Sequence, residues 1–181
     1  MKLFGIESLV SNVGGLISLP DSRGRLSKFF IWNEIDGKFL NFTVPRGEAQ
    51  ADVIPRRLQT VDYLESDIGI PIFSQKARDR LLEVAPGEVE FYECVVVCKG
   101  KEYSFFLGKI LKYQPLIDEQ RSTFRLLAEG ERLLDEAVYQ DAKVTDFYMA
   151  RDREFCERLV VSSQFVELCK QDGLEVGFSK P

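Results

Sequence analysis

Residues 89–111 read VEFYECVVVCKGKEYSFFLGKIL and decide the fold. In the first half, Val89 and Phe91 alternate with charged residues before a run of valines, which is typical of a β-strand over 89–97. A charged turn over 99–102 follows, and residues 103–111 form a second apolar, aromatic-rich run. Two such runs separated by a short glycine-containing turn predict a pair of antiparallel strands.

Two similar units lie at about residue 72 and about residue 160, and each has a strand, a serine, a helix, a glycine and another strand. Ser74 precedes the first helix, over 75–84, and Ser162 precedes the second, which ends at Gly173. A serine hydroxyl can accept a hydrogen bond from a free amide of the first helical turn, so Ser74 and Ser162 are predicted N-caps, with Ser163 as the alternative to Ser162. The inward-facing residues of the first helix are predicted to be Ala77, Leu81 and Leu82.

The N-terminal region has a hairpin signal of its own. Asp36-Gly37 lies between β-rich runs over 28–34 and 38–44, which predicts a second hairpin. Further along, Leu58, Val61 and Leu64 recur every three residues. This spacing predicts a short helix over 56–66.

A domain boundary is expected near Pro55, because residues 46–55 are polar and contain no aromatic residue. It would separate an N-terminal β-rich lobe, residues 1–55, from an α+β domain, residues 56–181. The whole chain is expected to be α+β, with a mainly antiparallel sheet and two or three short helices packed on it.

Residues 118–141 are compatible with a helix or a hairpin. A helix would place Gly130 in its middle, at a cost of about 1 kcal/mol relative to alanine. The hairpin, with strands over 123–128 and 132–134, is therefore favoured. Strands over 147–150 and 155–161 are expected next, with the turn at Arg151-Asp152.

The charge distribution favours a protein partner. The 181 residues carry a formal net charge of −5, and residues 1–60 contain eight basic and six acidic residues. The acidity therefore lies after residue 60. Negative charge repels a phosphate backbone, so we expect no nucleic-acid partner, whereas it attracts a basic protein. The alternative is that this charge only keeps the protein soluble.

The residue types limit the available chemistry. The chain contains no histidine, which removes Ser-His and Cys-His catalysis and histidine-ligated zinc. No phosphate-binding glycine motif occurs. We therefore expect no cofactor and no metal. The rival is an enzyme that uses a thiol or a pair of carboxylates, but the acidic residues around strand 89–97 are interpreted as a solvated strand face. They are Glu88, Glu90 and Glu93.

The cysteines and the apolar runs indicate a compartment. The cysteines form no C-x-x-C pair, lie in apolar strand or helix segments and are expected to be buried and inert. They are Cys94, Cys98, Cys156 and Cys169. With no disulfide framework, no signal-peptide pattern and no run long enough to cross a membrane, a cytoplasmic protein is expected.

Several short motifs resemble a known family. They are Asp62-Tyr63-Leu64, Gly69-Ile70-Pro71-Ile72-Phe73-Ser74, Leu159-Val160-Val161-Ser162 and the tail from Gly173 to Phe178 with Pro181. Together these motifs resemble a bacterial family of immunity proteins from polymorphic toxin systems, typified by an immunity protein of Myxococcus, over about residues 60–181. The resemblance implies a protein that binds a cognate toxin, commonly over its active site, and it implies no catalytic residues. Many such toxins are basic nucleases.

Candidate partner-binding residues follow from the charge and the resemblance. The densest acidic stretch after residue 60 comprises Glu129, Glu131, Asp135, Glu136 and Asp141. Trp32, in the N-terminal region, is a second candidate contact. The remaining alternative is an adaptor or chaperone for a secreted effector, for which an extended apolar groove would be expected.

Overall fold

The computed structural model describes residues 2–11, 15–128, 130–140 and 146–181. The described residues form three α-helices and thirteen strands, an α+β fold in which antiparallel strand pairs predominate, as predicted from the sequence. In chain order the elements are β1 Leu3–Glu7, β2 Ile17–Ser18, α1 Arg25–Phe30, β3 Arg46–Ala49, β4 Tyr63–Leu64, β5 Ile72–Phe73, α2 Gln75–Val84, β6 Val89–Cys98, β7 Lys101–Ile110, β8 Tyr113–Gln114, β9 Thr123–Leu126, β10 Arg132–Glu136, β11 Met149–Asp152, β12 Leu159–Ser162, α3 Ser163–Asp172 and β13 Gly177–Ser179.

The pair β6–β7 is the centre of the larger sheet and confirms the predicted antiparallel strands. Its register runs from Val89 opposite Ile110 to Cys98 opposite Lys101. Lys99 and Gly100 form the turn with φ of 50° and 77°, the positive angles that a two-residue hairpin turn requires. The six strands are ordered β2-β3-β6-β7-β5-β4, and a second sheet is ordered β13-β1-β12-β11-β8.

The two faces of the larger sheet pack against different helices. Leu64 and Ile72 join a core with α1, whereas their neighbours Tyr63 and Phe73 join a core with α2 and α3. Adjacent strand residues point to opposite faces. The α2–α3 core also includes Met149 and Val161 of the second sheet, so this core holds the two sheets together.

Both predicted N-caps are confirmed. The Ser74 Oγ accepts from Ala77 N at 3.1 Å, and the Ser162 Oγ accepts from Phe165 N at 3.4 Å. The Arg80 Nε donates to the Asp172 carboxylate and joins the two helices. The prediction that Leu82 faces inward was wrong, because this side chain is 43% exposed.

The hairpin predicted over 28–44 was wrong. This segment contains α1 and a 3-10 helix over Lys38–Asn41. The Asp21 carboxylate accepts from Leu26 N and Ser27 N, at 2.7 and 3.0 Å, and so satisfies free amides at the start of α1. Gly37 has φ of −90°, which is incompatible with the positive-φ turn of a tight hairpin.

The helix predicted over 56–66 was also largely wrong. A 3-10 helix spans Pro55–Gln59, and the chain is extended again at β4. The buried Asp62 explains the change, because its carboxylate accepts from Ser74 Oγ and from Glu175 N. A contact 113 residues away in sequence thus overrides the local spacing.

The expected boundary at residue 55 does not separate two sheets. β1 pairs with β12 and β13, and β3 pairs in parallel with β6. Strands from residues 1–55 therefore complete both sheets of the chain. No helix among the described residues is long and apolar enough to cross a membrane.

Candidate functional site

Residues 123–136 form the hairpin favoured by the sequence. β9 and β10 pair antiparallel, with Arg132 opposite Leu126 and Leu134 opposite Phe124. Gly130 N donates to Leu127 O at 2.9 Å, and Leu127 N donates to Glu131 O at 2.8 Å. Gly130 has φ of 83°, a conformation that glycine adopts without steric cost.

The hairpin belongs to neither of the two larger sheets. Within the described ranges, β9 and β10 pair only with each other. One face is attached to the body by Phe124, whose ring centre lies 5.7 Å from that of Phe155, and by the buried Leu134. The Arg132 guanidinium lies 4.1 Å from the centre of the Phe124 ring. Ser122 closes the base by accepting from Val138 N.

Three of the five predicted acidic residues lie in the described part of the hairpin. Glu131, Asp135 and Glu136 lie exposed on this hairpin. Asp135 accepts from the Arg125 guanidinium at 3.0 Å, so part of the predicted negative charge is neutralised within the hairpin. Glu129 and Asp141 lie outside the described residues.

The structure does not place Trp32 on the hairpin. Trp32 lies two residues after the end of α1, its amide donates to Ser27 O, and its side chain is 42% exposed. It is therefore a separate surface residue.

Exposed leucines on the hairpin were missed by the sequence analysis. Leu126 is 72% exposed, and Leu127 and Leu133 are each 43% exposed. The pairing of the hairpin explains the exposure of one of them. Leu133 lies opposite Arg125, on the face away from Phe124 and Leu134, and only one face of a two-stranded sheet can pack on the body. Leu126 lies on the same face as Phe124 and Leu134, one same-face pair closer to the turn.

A cleft of about 740 Å³ lies between β10 and the turn over 153–158. Its lining includes Glu131, Arg132, Leu134, Glu154, Phe155, Glu157 and Arg158. The turn predicted at Arg151-Asp152 was placed too early, because both residues belong to β11 and the turn follows them. The cleft therefore combines the hairpin edge with a charged rim and the Phe155 ring.

Two buried charged residues hold the turn in place. The Asp152 carboxylate accepts from Glu154 N and Phe155 N, each at 2.9 Å, and also from two amides that precede the hairpin. The Arg151 guanidinium donates to Cys156 O at 2.8 Å and to Gly69 O at 2.8 Å. The bonds of Asp152 to Leu116 N and Ile117 N and of Arg151 to Gly69 O come from distant segments, so local sequence could not reveal them.

A second apolar surface, the N-terminal groove, has a volume of about 500 Å³. Its lining includes Leu26, Phe39, Leu40, Phe42 and Val44. Phe42 is 86% exposed, the highest value among the large apolar side chains of the described residues. It is thus a second surface at which a partner could exclude water.

The interpretation of Glu88 as part of a solvated strand face was wrong. Glu88 is buried, and its carboxylate accepts from Tyr148 N at 2.8 Å and from Met149 N at 3.3 Å. Lys112 Nζ lies 3.6 Å from the other carboxylate oxygen. This carboxylate joins the start of β6 to β11 and is engaged in structure.

Burial makes the thiols of Cys94, Cys156 and Cys169 poor nucleophiles. Burial raises the pKa of Cys94 and of Cys169 to about 12, so both thiols stay protonated at neutral pH. Cys156 lies partly exposed in the 153–158 turn, not in an apolar strand face as expected, and desolvation raises its pKa too. In the described part of the chain, no group of three or more acidic or cysteine residues is arranged to hold a metal ion.

Neither the models of known protein families nor the curated proteins contain a match to this sequence.

Proposed function

We propose that this chain is an immunity-type inhibitor that binds a cognate bacterial toxin in the cytoplasm and covers its active site. The observation that carries the proposal is the β9–β10 hairpin. Leu126, Leu127 and Leu133 are exposed on it beside Glu131 and Glu136. Apolar side chains surrounded by charge, on an element outside the main sheets, are typical of a protein-binding surface.

The net charge of the chain indicates the kind of partner that it binds. The formal net charge of −5 favours a basic partner, such as a nuclease domain, by attracting it before contact. The leucines then supply the apolar area that slows dissociation. The motif resemblance over residues 60–181 supports the same function.

The experiment is a binding and inhibition assay with the toxin domain encoded next to this chain's gene. The wild-type chain should form a stable complex with the purified domain and reduce its activity in proportion to occupancy. A neighbouring product that is active, folded and unaffected by excess chain would contradict the proposal.

The N-terminal groove favours a second candidate, an adaptor for a secreted effector. Such a protein would hold an apolar segment of its client along Phe42 and Val44. The variants Phe42→Ser and Leu126→Ser separate the two functions. Loss of binding only with Phe42→Ser would favour the adaptor, and loss only with Leu126→Ser would favour the inhibitor.

A further inference from the structure

The outer edge of β10 has free backbone groups. Because Leu127 N donates to Glu131 O, residues 127 and 131 form a hydrogen-bonded pair of the antiparallel ladder. Such pairs alternate with pairs whose backbone groups point outward. Arg132 and Leu134, opposite Leu126 and Phe124, therefore direct their amides and carbonyls away from β9. Within the described ranges, these outward groups make no hydrogen bond.

This edge borders the cleft of about 740 Å³. The opposite wall is the 153–158 turn, which is held from beneath by the buried Arg151 and Asp152. A paired strand lies about 4.8 Å from its neighbour. The cleft thus offers a free strand edge and a fixed wall facing it.

The charges of the cleft specify the occupant. Its lining contains three carboxylates and two guanidinium groups. Arg132 is already engaged, because its guanidinium lies 3.6 Å from Glu119 and 4.0 Å from Glu154. Glu131 forms no ion pair within the described part of the chain. The excess of negative charge favours lysine or arginine, and Leu134 and Phe155 favour apolar residues between them.

We propose that the partner adds one extended strand to the outer edge of β10, with basic and apolar side chains in alternation. The backbone groups of Arg132 and Leu134 bond to this strand, and the carboxylates of the cleft pair with its basic side chains. The inference rests on the proposed function, since the strand belongs to the toxin.

The test compares Arg132→Pro with Arg132→Ala. Proline removes the outward amide, which the hairpin itself does not use, and an edge strand tolerates proline at such a position. Alanine removes the same side chain but keeps the amide. We expect Arg132→Pro to bind the neighbouring toxin domain roughly tenfold or more weakly than Arg132→Ala, because a buried carbonyl of the partner loses its donor. Equal affinities of the two variants would overturn the strand pairing.

Amide exchange in the wild-type complex gives a second reading that needs no variant. The amides of Arg132 and Leu134 should exchange with solvent at least about tenfold more slowly in the complex than in the free chain. Unchanged exchange at both residues in a stable complex would overturn strand pairing and leave the inhibitor function intact. If the wild-type chain does not bind the toxin domain at all, both proposals are contradicted. If the free chain dimerises through β10 and Arg132→Pro abolishes the dimer, the added strand comes from a second copy of this chain. That result would overturn the proposal that the strand comes from the toxin.

Discussion

The Asp135 carboxylate lies 3.0 Å from the Arg125 guanidinium across the hairpin formed by β9 and β10. Both side chains are largely exposed, so the pair contributes little to stability. Its consequence is electrostatic, because one acidic residue expected to attract a partner is already paired. The electrostatic attraction of a basic partner therefore depends more on Glu131 and Glu136.

Replacing Glu131, Asp135 and Glu136 together by lysine should slow association with a basic toxin about tenfold or more. It should also weaken the dependence of the association rate on salt, while dissociation changes less. Stopped-flow measurements at several salt concentrations check this. The matched control replaces Asp79, Glu83 and Glu167, exposed carboxylates on α2 and α3, and makes the same change in net charge. An equal effect of the two triple variants would mean that only the net charge matters.

The exposed leucines should act on dissociation. Leu126→Ser should weaken the complex by about 2 kcal/mol, since a leucine side chain buried in the interface is lost. It should leave unfolding nearly unchanged, because Leu126 is 72% exposed in the free chain. Leu82→Ser on α2, at 43% exposure, is the control. Surface plasmon resonance and urea unfolding measure the two effects, and full affinity of Leu126→Ser would remove this residue from the interface.

The two serine caps should differ in their contribution to stability. Ser162→Ala loses the bond to Phe165 N and should cost about 1 kcal/mol. Ser74→Ala should cost more, about 1–2 kcal/mol, because the Ser74 hydroxyl also donates to the buried Asp62. Urea unfolding measures both. The reverse order of the two costs would show that the Asp62 contact adds nothing.

Glu65 should make folding less favourable as the pH rises. Desolvation by burial raises the pKa of Glu65, and the neighbouring Glu7 raises it further. The folded chain therefore holds this proton more tightly than the unfolded chain. The free energy of unfolding of the wild type minus that of Glu65→Gln should fall as the pH rises from the ordinary pKa of 4.5 through the raised value. Unfolding of both proteins from about pH 4 to 8 measures this. If the wild-type value minus the variant value stays constant or rises with pH, the assignment is contradicted.

The sequence was sufficient where neighbours in the chain determine the structure. Alternation and the Lys99-Gly100 turn predicted β6 and β7, and hydroxyl chemistry predicted the Ser74 and Ser162 caps. Gly130 correctly favoured a hairpin over a helix.

Distant contacts account for most of the wrong predictions. The role of Glu88 depends on amides 60 and 61 residues away, and Asp62 holds residues that local spacing assigned to a helix. The acidic stretch of the hairpin was found, but its exposed leucines were not. Their exposure depends on how the hairpin sits on Phe155, which local sequence does not determine.

The most direct test of the inhibitor function is survival of cells that express the neighbouring toxin domain together with this chain. Wild-type chain and Leu82→Ser should restore growth, whereas the folded double variant Leu126→Ser/Leu133→Ser should not, because the hairpin loses two of its three exposed leucines, one from each face. Equal expression and unchanged urea unfolding of the three chains are the controls. Failure of the wild-type chain to restore growth would contradict the inhibitor function, and full rescue by the double variant would contradict the hairpin as its binding surface.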